Sequence, residues 1–449
     1  MRKIIYITLL ALLSGCGIYK PYSRPGTELP EQYRDINTDD TTTLAALPWK
    51  ELFTDEHLQT LIETGLQQNT DLQVARLRVK EADALLLNAR LSYLPALSLS
   101  PEGGISSYNG TTSKTYNLAA SANWELDIFG KTTNAKRGAK AALLGSREYA
   151  QAVQTQLIAN IAGKYYTLLM LDRQLEIGEE TLQSWEKSIK VLEALKASGK
   201  ANDAAVLQAR ANRMTLESSV LTLRKNITDT ENALSVLLAL SPQEIERGRI
   251  ADVRFPDELK VGVPAQLLSN RPDVRQAEQN LAQAFYATNA ARASFYPSVN
   301  LSGSIGWSNN GGGVITNPGS WLMSAIGSLV QPLFNRGTNI ANLKIAKARQ
   351  EEAMLLFRQS LLDAGNEVNT ALTQWQTARQ QIEVCNRKID TLQEAVRKTE
   401  LLMRHSTSTY LEVLTAQQAL LDAEQQQVQY IFDCVQGVIN LYHALGGGA

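Results

Sequence analysis

Proline is missing from two long stretches of this 449-residue chain. None occurs between Glu102 and Ser241, and none occurs after Pro332. Because a proline inside an α-helix breaks or kinks it, its absence leaves both stretches free to form long helices. Apolar residues recur there at three- and four-residue spacing, which is typical of coiled-coil-like packing. The sequence therefore predicts one long helical hairpin over residues 132–241 and a second over residues 336–445.

Groups that carry out chemistry are scarce and scattered. The chain has only three histidines, His57, His405 and His443. They lie far apart, with no metal-ligand spacing and no nucleophile nearby in a catalytic pattern. Cys385 and Cys434 form no CxxC pair, and Cys434 is predicted to be a small residue of a helix seam. The sequence thus predicts no cofactor, no metal site and no enzymatic activity.

The chain also lacks an excess of positive charge. It holds 44 Lys and Arg against 45 Asp and Glu, a formal net charge of −1. Neither a basic patch nor a basic run with interleaved aromatic residues occurs. A nucleic-acid partner requires such a patch to neutralise phosphates, so we expect none.

The first residues are typical of a bacterial targeting segment. Arg2 and Lys3 precede a short apolar run, and the tetrapeptide LSGC ends at Cys16. This pattern resembles a lipobox and predicts a lipoprotein signal peptide over residues 1–15, with lipid attached to Cys16. The alternatives are an ordinary signal peptide with a chance cysteine, or a buried N-terminal helix. Gly17 in place of Asp favours the outer membrane, and residues 16–48 are predicted to form an extended tether.

A sequence unit of roughly 200 residues occurs twice in the chain. Six residues of the first copy recur 202 positions later: Asp71, Ala75, Ala82, Ala89, Arg90 and Pro95. We place the first repeat at residues 49–248 and the second at residues 249–449. Such a long period indicates a quasi-symmetric architecture and not a solenoid.

Each repeat contains a predicted β-hairpin, at residues 95–128 and 297–333. Apolar and polar residues alternate in both, so that Leu97 and Leu99 share a face, as do Val299 and Leu301. The turns are predicted at residues 108–115 and 309–320. A soluble, half-buried antiparallel sheet has the same alternation as a lipid-facing barrel, and both interpretations stay open. Four strands cannot close a membrane barrel, so the second interpretation requires an oligomer.

Several motifs resemble the TolC-type outer-membrane efflux proteins, in the lipoprotein branch that includes OprM and NodT. They are LSGC, WELDIFGK, LLSNRPDVRQAE, QPLFNRG and TYLEVLTAQQ. The resemblance implies an α+β membrane protein with internally duplicated long α-helical hairpins and four transmembrane β-strands per chain. It implies a homotrimer with a shared barrel of twelve strands. The implied partners are outer-membrane lipid, a periplasmic adaptor and an inner-membrane pump of the RND type.

The resemblance also implies a periplasmic gate at the tips of the helical hairpins. The corresponding turns here span residues 197–205 and 404–415. The candidate gate residues are Gly199, Asp203, Arg404, Ser406, Glu412 and Thr415. Ser406 stands where the family usually has glycine, and Thr415 where it often has an acid. Three copies of Glu412 around an axis would form a cation-selective constriction, whereas the alternative is a simple N-terminal helix charge.

The implied function is a passive exit duct for drugs or other small toxic solutes. Heavy-metal export and type I secretion are alternatives, because selection would lie in the pump. A non-conducting structural lipoprotein with coiled-coil stalks is an alternative of a different class. It accounts for the helices and the anchor but not for the paired amphipathic strands.

Overall fold

A computed structural model describes residues 19–26, 42–255, 259–309, 320–404 and 410–448. The predicted lipid site Cys16 and the predicted gate residue Ser406 lie outside these residues, as does most of the predicted turn 309–320.

The α-helices are α1 (Trp49–Leu52), α2 (Glu56–Gln68), α3 (Thr70–Leu91), α4 (Lys131–Ala197), α5 (Asp203–Leu237), α6 (Leu267–Asn270), α7 (Pro272–Ala293), α8 (Thr338–Arg404) and α9 (Tyr410–Ala444). The strands are β1 (Ala96–Tyr108), β2 (Thr111–Leu126), β3 (Ser298–Asn309) and β4 (Ser320–Val330).

The duplication read from the sequence is visible in the element lengths. The helices α4 and α8 each have 67 residues, and their return helices α5 and α9 each have 35. The helices that precede each hairpin, α3 and α7, each have 22 residues. None of the helices in the described part of the chain is long and apolar enough to cross a membrane.

The four strands form one antiparallel sheet in the order β1-β2-β3-β4. The central pairing joins the two repeats, with Trp124 of β2 opposite Leu301 of β3. This leaves β1 and β4 as the edges of the sheet within a single chain. Each repeat therefore contributes one hairpin and one open edge.

The first hairpin turn is much shorter than the sequence prediction of residues 108–115. Tyr108 pairs directly with Thr111, and only Asn109 and Gly110 form the turn. Both have positive φ angles, 53° and 79°. Asn-Gly favours this two-residue turn, whose twist matches that of the flanking strands. The prediction was wrong because the polar residues after Gly110 continue the strand.

The chain divides into two compact units that cut across the repeats. The first comprises Met1–Thr27, Arg76–Glu148 and Arg275–Ser360, and it includes the sheet. The second comprises Glu28–Ala75, Tyr149–Val274 and Leu361–Ala449. Each unit thus draws residues from both copies of the repeat.

A buried arginine joins the linker of the second unit to its last helix. Arg271 is 3% exposed, and it donates to both carboxylate oxygens of Asp273. Its Nη1 donates to Glu367 Oε2 at 2.6 Å and to the Ala444 carbonyl at 3.0 Å. Burial acts to raise the pKa of Asp273, but the hydrogen bond and charge of Arg271 lower it below its ordinary value. A buried guanidinium needs such partners, and the arrangement fixes the start of α7 against the end of α9.

His443 lies beside this cluster, and its surroundings shift its pKa. Burial is the main cause that lowers its pKa below the ordinary 6.5, and the charge of Arg271 adds to it, while Glu367 and Asp273 oppose it. The unfolded chain therefore takes up a proton on His443 at a higher pH than the folded chain does. Stability that is present above pH 6.5 is lost as the pH falls toward the folded pKa.

We expect His443→Gln to reduce the loss of stability below pH 6.5, because glutamine keeps hydrogen-bonding capacity without taking up a proton. The measurement is the thermal unfolding midpoint of the purified protein in detergent, between pH 8 and pH 5. His57→Gln, at an exposed position of α2, is the matched control. An equal pH dependence in wild type and His443→Gln would contradict the assignment.

Candidate channel wall and helix tips

One face of the sheet is apolar from edge to edge. The register places Leu97, Ala122 and Gly303 in one row across it, and Leu99, Ala120 and Ile305 in the next. Its side chains are uncovered in the single chain: Leu97 is 79% exposed and Met323 is 81% exposed. The sequence prediction that Leu97, Leu99, Val299 and Leu301 share a face is confirmed by this register.

The opposite face is lined by small polar residues. Ser98, Ser121, Ser304 and Ser324 lie directly opposite one another and form a row across all four strands. The Oγ atoms of Ser98 and Ser121 are 2.8 Å apart, and those of Ser304 and Ser324 are also 2.8 Å apart. Neighbouring rows carry Asn117, Asn123, Glu125 and Asn300. Such a face is suited to contact with water.

The edge strand β4 departs from this pattern. Leu322, Ile326 and Val330 lie on the serine face and are 50–60% exposed. They alternate there with Ser324 and Ser328, so β4 is apolar on one face and mixed on the other. The sequence segment SWLMSAIGSLV, with its consecutive apolar residues, does not by itself show which face is mixed.

Tryptophans mark two levels on the apolar face. Trp307 and Trp321 pair across β3 and β4 near the turns, with ring centroids 4.5 Å apart. At the helical end, Trp124 donates its Nε1–H to the Tyr93 carbonyl at 2.8 Å. Trp124 lies opposite Leu301, six residues along β3 from Trp307, which corresponds to about 20 Å. Aromatic rings at both limits of an apolar band are typical of membrane strands.

The first helix tip is closed by complementary caps. Gly199 has a φ of 74°, and its N–H donates to the Lys196 carbonyl at 3.0 Å. The N–H of Lys200 donates to the Leu195 carbonyl at 2.8 Å, which completes a Schellman motif. The Asn202 side chain then caps α5 by accepting from the Ala205 N–H at 2.8 Å. Gly199 therefore ends α4, and Asn202 caps the start of α5.

The predicted gate residues lie mostly within helices and not in turns. Asp203 is the first residue of α5 and pairs with Lys196 Nζ at 2.5 Å. Glu412 lies in the first turn of α9, and the hydroxyl of Thr415 donates to the Leu411 carbonyl. Arg404 is the last residue of α8. The predicted turns at residues 197–205 and 404–415 are therefore too long, because α5 begins at Asp203, capped by Asn202, and α9 begins at Tyr410.

The two tips meet in a small apolar cluster of the second unit. Ile189 and Leu192 of α4 pack against Val206 and Ala209 of α5. Tyr410, the first residue of α9, packs against this cluster, and its burial raises the pKa of its hydroxyl. The start of α9, two residues before Glu412, is thus fixed beside the first tip.

Comparison with known proteins decides the family. The sequence profile of the family described as "Outer membrane efflux protein" matches residues 61–240 and 263–447. The chain belongs to this family. The predicted resemblance to TolC-type outer-membrane efflux proteins is confirmed, and so is the predicted outer-membrane location.

Two curated relatives and a solved structure extend over nearly the whole chain of this outer membrane efflux protein. The Cation efflux system protein CusC of Escherichia coli K12 is 30% identical, over 99% of each chain. The Probable outer membrane lipoprotein SilC of Salmonella typhimurium is 30% identical, over 99% of this chain and 98% of its own. The open-state MtrE outer membrane channel of Neisseria gonorrhoeae is 26% identical with a TM-score of 0.88, covering 96% of this chain and 98% of its own. These likenesses confirm the predicted α+β channel fold, and the family consists of transport proteins and not enzymes.

Sequence reasoning missed the pairing partners in this efflux protein. Lys196 belongs to no recognisable motif. Only the tight turn between α4 and α5 brings its ammonium group to Asp203. The row of four serines depends on the strand register, which the predicted long turn had obscured. The Asn-Gly dipeptide at Asn109 was the available signal for that register.

We expect Asn202→Ala to weaken the first tip by about 1 kcal/mol, because the Ala205 N–H loses its acceptor. The measurement is the rate of trypsin cleavage after Lys196 and Lys200 in the intact purified protein. Asn202→Ser, which keeps a capping oxygen, is the matched control. Equal cleavage rates in the two variants would rule out a capping role.

Proposed function

We propose that this outer membrane efflux protein is a passive exit duct, through which small toxic solutes pass from the periplasm to the exterior. The observation that carries the proposal is the sheet with one mainly apolar face and one mainly polar face, which is rich in serine, asparagine and glutamate in β1–β3 and mixed in β4. A sheet of this kind separates lipid from water if it closes on itself. The described helices supply no membrane-crossing alternative.

Closure requires more than one chain. The outer edges of β1 and β4 have unpaired backbone groups within a single chain, and such edges are not tolerated in lipid. The smallest membrane barrels have about eight strands. A homotrimer joined edge to edge has twelve strands, which is the assembly implied by the resemblance, and family membership supports it.

The partners proposed are a periplasmic adaptor and an inner-membrane pump of the RND type. The name of CusC, a cation efflux system protein, supports a role in a multi-protein efflux system. It also favours heavy-metal export as the second candidate beside drugs. The described residues contain no group of three or more His, Cys, Asp or Glu that could hold a metal ion.

A lipid on Cys16 is the proposed second attachment to the outer membrane. The LSGC motif carries this proposal, and the description of SilC as a probable outer membrane lipoprotein supports it. Acyl chains contribute about 0.8 kcal/mol for each buried CH₂ group, so two or more chains give stable anchoring.

The proposed gate lies at the helix tips. Gly199, Arg404, Ser406 and Thr415 would shape the tips, and Glu412 and Asp203 would supply the charge. The placement of Glu412 in the first turn of α9 agrees with both hypotheses from the sequence, a ring of acids and a helix-dipole charge. Lys196 pairs with Asp203 and offsets its charge, and Glu412 is the residue proposed for a ring around a three-fold axis.

We expect the wild-type protein to form an SDS-resistant trimer that conducts ions in planar bilayers, with a preference for cations. Glu412→Gln should lower this preference, and the difference should shrink as salt rises, because mobile ions screen the ring. The cation preference of each protein is measured as its reversal potential in a salt gradient. Glu394→Gln, an exposed carboxylate of α8, is the matched control.

Two outcomes would contradict these proposals separately. A trimer without conductance would favour the structural coiled-coil lipoprotein over the duct. A conducting trimer whose ion preference does not change in Glu412→Gln would leave Glu412 as a helix-terminal charge only.

A further inference from the structure

The segment that follows the predicted lipid site is docked against the first unit. Arg24 donates from Nε and Nη2 to the two carboxylate oxygens of Glu278, at 2.8 and 2.7 Å. Glu278 is 7% exposed, so the carboxylate of the pair is largely withdrawn from water, whereas the Arg24 side chain is half exposed. Two-point contacts between arginine and a carboxylate fix orientation as well as distance.

Two tyrosines extend the contact toward the N-terminus. The Tyr22 N–H donates to the Tyr286 hydroxyl at 3.2 Å, and the Tyr22 ring packs edge-on against Phe285 at 5.8 Å. Tyr19 lies beside Gly130, where an added Cβ would be 3.5 Å from its ring. The segment is therefore held from Tyr19 to Arg24, although the sequence predicted a tether there.

This docking limits where Cys16 can lie. Two residues lie between Cys16 and Tyr19, and an extended chain spans at most about 11 Å over the three residue steps. Gly130 follows the last residue of β2, Leu126, by four positions. A lipid on Cys16 therefore enters the bilayer close to the helical end of the sheet.

An open groove lies on the apolar face of that sheet. Its volume is about 650 Å³, and its floor consists of the small residues Ala120, Ala122 and Gly303. Larger side chains flank the floor: Leu97, Leu99, Ile305 and Met323. Ala122 precedes Leu126 by four residues, so the groove begins about 13 Å from the helical end of β2. This falls within one leaflet, which is about half of a hydrocarbon core of about 30 Å.

We propose that an acyl chain attached to Cys16 lies in this groove, directed there by the docked segment 19–26. The inference rests on the lipidation of Cys16 proposed above. Lipid tails are as apolar as leucine, so moving the acyl chain from bulk lipid into the groove gains no hydrophobic free energy. The groove instead stabilises the acyl chain by close packing against its small residues. Because the acyl chain is covalently linked to Cys16, its contact with the groove is intramolecular, and weak packing is then enough to keep the groove occupied.

The test uses the full-length protein from cells fed with a fatty acid that carries a photoactivatable group and an alkyne. After irradiation of the purified trimer, mass spectrometry locates the peptides joined to the N-terminal lipopeptide. We expect them to contain Ala120–Ala122 or Gly303. Gly303→Leu, which fills the floor, should abolish this product. Gly327→Leu, on the same face of β4 but outside the groove, is the matched control and should retain it.

A second pair of variants tests the docked segment. Arg24→Glu should spread the cross-links over the apolar face, and the double variant Arg24→Glu with Glu278→Arg should restore them to the groove. Absence of alkyne on Cys16 would refute the lipidation itself. An acylated Cys16 whose cross-links reach only bulk lipid, or are unchanged in Gly303→Leu, would overturn the groove and leave the lipidation standing.

Discussion

Every peptide group in the hydrocarbon core of a membrane must find its hydrogen-bond partner within the protein. Four antiparallel strands meet this requirement along three interfaces and leave it unmet along the outer edges of β1 and β4. Other features of the chain are consistent with the need to pair these two open strand edges. The duplicated hairpins supply equivalent strands. The alternation of apolar and polar side chains makes one face of the sheet suited to lipid and the other suited to water. A single chain is thus a segment of a wall and cannot be a complete barrel.

The helical part follows a different rule. None of its four long helices, as described from Lys131 to Ala444, is apolar enough to cross a membrane, and they are held by narrow seams and by specific polar contacts. The Arg271 cluster shows the cost of such contacts, since a buried guanidinium needs two carboxylates and a carbonyl to replace water. At the tips the stabilising groups are local: a glycine, an asparagine and an apolar cluster that includes Tyr410.

Sequence reasoning succeeded where the signal is local and periodic. The long helices and the faces of β1 and β3 follow from spacing and residue type. It failed at the first hairpin, where the polar residues from Thr111 to Thr115 were assigned to a loop although Asn109 and Gly110 already form a complete turn. It could not pair Arg24 with Glu278, which are 254 positions apart. Nor could it determine the mixed face of β4, because consecutive apolar residues remove the period-two pattern.

The equal lengths of the repeated helices restrict how this protein can change. An insertion in α8 alone would displace Tyr410 from its contact with Ile189 and Leu192, because the start of α9 would no longer reach the first tip. An insertion in α4 without its match in α5 would rotate the seam residues between them out of register. Viable length variants must therefore alter all four long helices together, in steps that preserve the seam. The loops of this protein can therefore change length one residue at a time, whereas its helical hairpins can lengthen only in coordinated increments.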